Sequence, residues 1–456
     1  VAESRTGEED EIMRRIVRLF VLTAGLASAL AAPAANAATL QVAAGAPDVL
    51  ATDGACSLRE AIINANDNGA TWPDCPAGSG ADAIVLPAGT YVLAIPGAEE
   101  DAAATGDLDI AASLVLIGES ADQTVIDGAG LDTVIHVADG VVVDIRGITV
   151  TGGSPSGILN EGELTLSSVV VSESYLWGIY NLVGDLTVEA STISGNVAGI
   201  VTQGEAHIGC RYSCHCYGCG ENAPVRLVNT TVIGSWVGIY NDRGLSFSCG
   251  CEGPVTLVGS TLAGNGYRSI DVAGPVFSAG TIFANSCSRA LSSEGYSIDS
   301  GGYCNLTDPT DLSNTDPMLR AVLDDDGVTS VYALLPGSPA IDAIPLADCT
   351  YDDDGDVRTP EIPLATDQRG VLRPQGVACD IGAYELIPGE PTPPPTPTPT
   401  PTATPIPTPL PVGDLPMCRT KANGKQVTKL VKPKKIAKLL AKGATCLLYT
   451  SDAADD

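Results

Sequence analysis

Four short phrases, Gly157-Ile158-Leu159-Asn160, Gly178-Ile179-Tyr180-Asn181, Gly199-Ile200-Val201-Thr202 and Gly238-Ile239-Tyr240-Asn241, recur at intervals of 21, 21 and 39 residues. A period this short fits one coil of a solenoid. Before each phrase stands an apolar-x-apolar triplet: Val143-Asp144-Ile145, Leu164-Thr165-Leu166, Leu186-Thr187-Val188 and Val225-Arg226-Leu227, with a fifth at Val255-Thr256-Leu257. A second triplet starts five residues after the first: Ile148-Thr149-Val150, Val169-Val170-Val171, Ser191-Thr192-Ile193, Thr230-Thr231-Val232 and Ser260-Thr261-Leu262. Three β-branched strands per coil of about 21 residues, with Gly, Asn and Asp at the corners, predict an all-β chain, a right-handed parallel β-helix. A leucine-rich repeat would need Leu and Asn in a spacing that does not occur in register. No coil buries its apolar face alone, so caps are expected on both sides of residues 143 to 280.

Residues 13–37 read as a secretory signal, with Met13-Arg14-Arg15 and Arg18 as the basic region, Leu19 to Ala31 as the apolar core and Ala35-Asn36-Ala37 as the cleavage site. The apolar core is short of the ~20 residues a spanning helix needs, and no later stretch spans a membrane, so secretion or cell-surface display is expected. Residues 1–12 read as translation upstream of the natural start. Fourteen cysteines in an exported chain favour disulfides. The net charge is −31, and nine of the 24 basic residues lie between Arg419 and Lys442, so the body is more acidic still. Nucleic acid, which needs a basic face, is excluded as a partner. An extracellular glycan or protein ligand and a monomeric chain are the expectation.

An N-terminal cap and first coils are expected over 38–141, repeated coils over 142–290, and C-terminal coils with a cap over 291–388. In the first of these, Cys56-Ser57-Leu58-Arg59-Glu60-Ala61-Ile62-Ile63-Asn64-Ala65-Asn66 predicts a short helix capped by Ser57, with Leu58, Ile62 and Ala65 on one face. Such a helix would plug the open end of the solenoid. A strand follows at Ile84 to Leu93, and Cys75 between the two is positioned to bond Cys56. This stretch resembles the CSLREA domain over residues 56 to 93. Asp316-Pro317-Met318-Leu319, Leu334 to Asp342, Asp367-Gln368-Arg369-Gly370 and Asp380 to Glu385 together resemble the choice-of-anchor Q domain. These resemblances imply a pectin-lyase-like β-helix of bacterial secreted or surface proteins, a family with no agreed activity. Arg369 and Glu385 belong either to a polar cap network or to a binding site, and Cys349 and Cys379 are candidates for a cap disulfide. A Pro/Thr-rich linker over 389–413 forms a stiff spacer before a Lys-rich tail module over 414–446, in which Cys418 and Cys446 can pair. Residues 447–456 resemble translated sequencing adapter.

The outward residues of the first strand row are Asp144, Thr165, Thr187, Arg226 and Thr256, and those of the second are Thr149, Val170, Thr192, Thr231 and Thr261. The charges Asp144 and Arg226 stand three coils apart, roughly 14 Å, beyond the ~5 to 9.5 Å of a glycosidase carboxylate pair. With three histidines in the chain, His-based hydrolysis is poorly supplied. A non-catalytic display or adhesion protein is therefore the first reading. A polysaccharide lyase or glycoside hydrolase acting on acidic polysaccharide from irregular loops is the alternative.

Cys210, Cys214, Cys216 and Cys219, with His215 beside them, and Cys249 and Cys251 lie in two insertions expected at the same corner of successive coils. They would form disulfides, including one across the loops, or a thiolate metal site. No cofactor is expected beyond calcium or zinc; the acidic Asp352 to Asp356 turn lacks the EF-hand ligand order. Trp177, Tyr180, Trp236 and Tyr240 recur near equivalent corners as surface stacking or a ligand platform.

Overall fold

The computed structural model describes residues 37–98, 100–203, 224–241, 253–288, 290–322, 329–351, 361–389, 415–420 and 426–431. Three all-parallel sheets run the length of the coils, with ten, ten and seven strands. The chain visits them in turn: sheet one runs from Thr39–Gln41 to Ser292–Ser293, sheet two from Gly89–Val92 to Leu312–Ser313, and sheet three from Leu108–Ile110 to Arg268–Asp271. The molecule is a right-handed parallel β-helix. Its coils begin well before the first repeated phrase and continue past the last. In those outer coils the repeated phrase is absent.

The repeated phrase has a physical explanation position by position. Ile158, Ile179, Ile200 and Ile239 stack in register on sheet three and are closed to solvent. Each buried side chain of this size stabilises by roughly 1.5 to 3 kcal/mol relative to exposure. The preceding glycine faces the next coil's backbone, because a Cβ on Gly178 would meet Gly199 O at 2.6 Å and one on Gly199 would meet Gly238 O at 2.5 Å. Asn160, Asn181 and Asn241 are buried at the turn, where Asn160 Nδ2 donates to Asn181 Oδ1 (2.7 Å), Asn181 Nδ2 to Gly184 O (2.6 Å) and Asn241 Nδ2 to Thr202 O (3.0 Å). These amides satisfy backbone groups that leave the ladder at the corner.

Helix α1 (Leu58–Asn66) is fixed by a capping box: Glu60 N donates to Ser57 Oγ (3.2 Å) and Ser57 N donates back to Glu60 Oε2 (3.0 Å). Leu58, Ala61, Ile62 and Ala65 are buried in the main core. The last helical residue closes the sheet edge, because Asn66 Nδ2 donates to Asp109 O (2.8 Å) and Asn66 Oδ1 accepts from Ala111 N (2.9 Å). Leu108–Ile110 is the first strand of sheet three, so the helix covers an edge that would otherwise offer unpaired groups. A disulfide joins Cys56, just before the helix, to Cys75.

The C-terminal segment departs from the expected end cap. It lies along the side of the solenoid, over the outer face of sheet two. Thr192, Thr231 and Thr261 point outward as their register requires, yet all are buried. Thr192 Oγ1 donates to Ser330 O (2.7 Å), Thr231 Oγ1 to Gln368 Oε1 (2.6 Å), and Ala383 N donates to Thr261 Oγ1 (3.0 Å). A second apolar core forms there, with Val228, Val258 and Ile282 of the coils meeting Ile344, Leu364, Ile381 and Tyr384. The wrapping segment carries two short antiparallel pairs, Leu319–Val322 with Val331–Leu334 and Thr350–Tyr351 with Ile362–Pro363. Farther on, Leu415–Thr420 pairs antiparallel with Gln426–Val431.

Candidate functional site

Sheet three presents one outward residue per coil in register: Asp109, His136, Leu159, Tyr180, Val201, Tyr240 and Asp271. The charged end of this row is the chemical centre of the described residues. His136 Nδ1 lies 2.9 Å from Asp109 Oδ1 and Nε2 lies 3.3 Å from Glu161 Oε2. Burial would lower the imidazole pKa, but hydrogen bonds and charge from Asp109 and Glu161 outweigh it and raise the group to about 10. Asp109 is further held by Ala103 N, which donates to Oδ2 at 2.9 Å.

Asp107 stands two residues before Asp109, just ahead of the strand Leu108–Ile110. Its residue is only 8% exposed. Burial, then the charges of Asp109 and Asp132, raise its carboxyl to about 8, while His136 pulls the other way. Asp101 completes the cluster: its carboxylate, that of Asp109 and the His136 ring offer atoms all within 4.8 Å of one another.

The loop bearing these acids is built by Arg59. Nε and Nη2 donate to Asp48 Oδ1 (2.6 Å) and Oδ2 (3.1 Å), Nη1 to Ala103 O (3.0 Å) and Asp107 O (2.8 Å), and Nη2 also to Gly106 O (2.8 Å). Every N–H of the buried fork is thus spent on positioning, and none remains for the acids themselves. The sequence reading followed the first two strand rows and the repeated coils, and so missed this cluster. The available signal was Leu108-Asp109-Ile110 and Ile135-His136-Val137, two alternating triplets with a polar centre ahead of the first phrase.

A second feature sits at the corner where the chain enters sheet three. Trp236 and Tyr267, 57% and 48% exposed, stack with ring centroids 5.7 Å apart and planes 10° apart. The Arg268 guanidinium lies 4.7 Å from the Tyr267 ring and pairs with Asp271 at 3.0 Å. Of the expected platform residues, Tyr180 and Tyr240 do share one column. Trp177 and Trp236 do not: Trp177 is in register with Ala198 and Val237, so Trp236 stands one position earlier. Trp177 instead packs on Tyr180, centroids 4.6 Å apart, and Tyr267 takes the place beside Trp236.

Arg369 and Glu385 form part of an interior network. Arg369 Nε donates to Asp367 Oδ2 (2.9 Å), Nη2 donates to Glu385 O (2.6 Å), and the guanidinium lies 3.6 Å from the Tyr384 ring centroid. Arg373 and Glu385, both buried, pair at 3.1 Å. Asp144 pairs with Arg146 on its own strand, three coils from Arg226, which faces Tyr351 at 5.8 Å. Disulfides join Cys349 to Cys379 and Cys287 to Cys304, the latter pair not singled out in the sequence.

The signal segment 13–37 up to residue 36, Cys210, Cys214, Cys216, Cys219, Cys249, Cys251, Asp352 to Asp356, the Pro/Thr linker and Cys446 lie outside the described residues. The strands flanking both Cys-rich segments are adjacent: Thr202 pairs with Asn241 as the chain leaves sheet three, and Val225 with Val255 as it enters sheet one. No helix among the described residues is long and apolar enough to cross a membrane.

No family model and no curated protein matches this chain. Among solved structures, similarity extends to pectate lyase Pel9A, at 13% identity over 75% of this chain and 97% of that one, TM-score 0.41. A second similar structure is ORF18 of Geobacillus virus E2, at 10% identity over 49% of this chain and 43% of that one, TM-score 0.27.

Proposed function

We propose that the chain is an exported, non-catalytic β-helix protein that binds a glycan or a protein partner at the cell surface. The observation that carries this reading is the exposed Trp236–Tyr267 stack, held on a rigid corner with the Arg268–Asp271 pair beside it. Aromatic faces beside hydrogen-bonding side chains suit the alternating apolar and hydroxyl faces of a sugar ring. The CSLREA-like and choice-of-anchor Q-like assignments are part of the same reading. The first is supported by the structural task of each letter of its motif: Cys56 in a disulfide, Ser57 and Glu60 in the capping box, Leu58 and Ala61 in the core, Arg59 in the loop clamp. Retention on immobilised neutral and acidic glycans tests the reading, with Trp236→Ala expected to weaken binding about tenfold. Equal retention of the variant would remove the platform.

The enzyme reading has one observation in its favour, the convergence of Asp101, Asp109 and Glu161 on His136. The described cluster offers no lysine, and its one nearby arginine is committed to Asp48 and backbone carbonyls, so an acidic sugar meets net negative charge there. Incubation with polyuronides and neutral glycans separates the two readings. Release of unsaturated or reducing ends would establish the enzyme and overturn the non-catalytic assignment.

A further inference from the structure

We infer that Asp101, Asp109 and His136 form a binding site for one divalent transition-metal ion of the manganese or zinc class. The donor atoms lie within 4.8 Å of one another, and the two inner ones, His136 Nδ1 and Asp109 Oδ1, are 2.9 Å apart. One imidazole nitrogen with two carboxylates is a donor set for manganese or zinc rather than for an all-oxygen calcium site. The ion takes the place of the Nδ1 proton, which leaves to solvent.

The outer groups are already arranged as a metal ligand requires. A metal-bound imidazole hands its other N–H to a carboxylate, and Glu161 Oε2 stands 3.3 Å from His136 Nε2. The free oxygen of Asp109 is fixed by Ala103 N, and Ala103 O is in turn fixed by Arg59. Asp101 is exposed and opens the site to solvent.

The test uses the full-length, chelator-treated protein and Mn²⁺, a hard ion that thiolates hold poorly. Calorimetric titration should show one saturable site, and pulsed electron paramagnetic resonance should show coupling to one imidazole nitrogen. Asp101→Asn, a surface change that leaves the fold intact, should weaken binding at least tenfold. His136→Gln should remove the nitrogen coupling, with circular dichroism checking its fold. Absence of saturable Mn²⁺ binding at millimolar concentration would overturn the site. So would bound manganese without nitrogen coupling, or affinity unchanged in Asp101→Asn. The outcome is independent of glycan binding at Trp236.

Discussion

Arg59 grips Asp48 with Nε 2.6 Å from Oδ1 and Nη2 3.1 Å from Oδ2, and both side chains are buried. The pair joins the capping helix to the segment before it, and Asp48 Oδ2 also accepts from Ala94 N (2.8 Å), after the first strand of sheet two. One ion pair thus ties three parts of the N-terminal cap. Arg59→Met leaves Asp48 buried and charged, and should destabilise the protein by about 3 to 5 kcal/mol in denaturant unfolding. Arg59→Lys keeps the charge but loses the fork, so it should recover only a small part of that loss. Full recovery by lysine would refute the clamp.

The glycine of the repeated phrase gives a second test. Gly178→Ala places a Cβ 2.6 Å from Gly199 O and 2.7 Å from Asn196 Nδ2, so adjacent coils must part. Overpacking of this kind should cost roughly 1 to 3 kcal/mol. Gly69→Ala is the control, because its Cβ would meet only Asp67 O at an ordinary 3.6 Å. Thermal melts of the two variants should differ clearly, and equal midpoints would show that the close approach does not constrain the repeat.

Gln368 is the latch between the wrapping segment and the coils. Its Nε2 donates to Thr192 Oγ1 (2.9 Å) and Thr329 Oγ1 (2.7 Å), and its Oε1 accepts from Thr231 Oγ1 (2.6 Å). Gln368→Ala removes the partner of the buried Thr231 hydroxyl, at a cost of about 1 to 3 kcal/mol, and leaves Thr192 with its bond to Ser330 O. Hydrogen exchange should accelerate over residues 329–386 while the strands of sheet one keep their protection. Uniform acceleration of both would mean that wrap and coils unfold as one unit.

These elements differ in how far the sequence discloses them. The coil register was legible because Ile158, Ile179, Ile200 and Ile239 repeat a local steric solution, with glycine before and asparagine after. The helix was legible because Ser57 and Glu60 form a local capping box. The wrap was not, since Thr192, Thr231 and Thr261 look like any solvent-facing ladder until a segment more than 100 residues later bonds to them. The His136 cluster was hidden for a similar reason. Asp109, His136 and Glu161 are neighbours only because coils stack, and Asp109 and His136 lie in coils that lack the repeated phrase.

The same cluster dictates how the metal-free protein responds to pH. His136 is raised to about 10 from an ordinary 6.5, and Asp107 to about 8 from 3.8. Both groups bind their proton more tightly in the folded chain, so each adds stability that is complete below its ordinary value. The Asp107 contribution should be lost as pH rises from about 4 through 8, and that of His136 from about 6.5 through 10. Asp109→Asn removes the principal partner of His136 and should bring its ring titration down, which proton NMR can follow because the chain holds only three histidines. Asp107→Asn abolishes the buried charge. It should leave stability at pH 4 nearly unchanged and raise it at pH 9, measured by denaturant midpoints. A variant equally stabilised at both pH values would show that Asp107 is not held as the neutral acid.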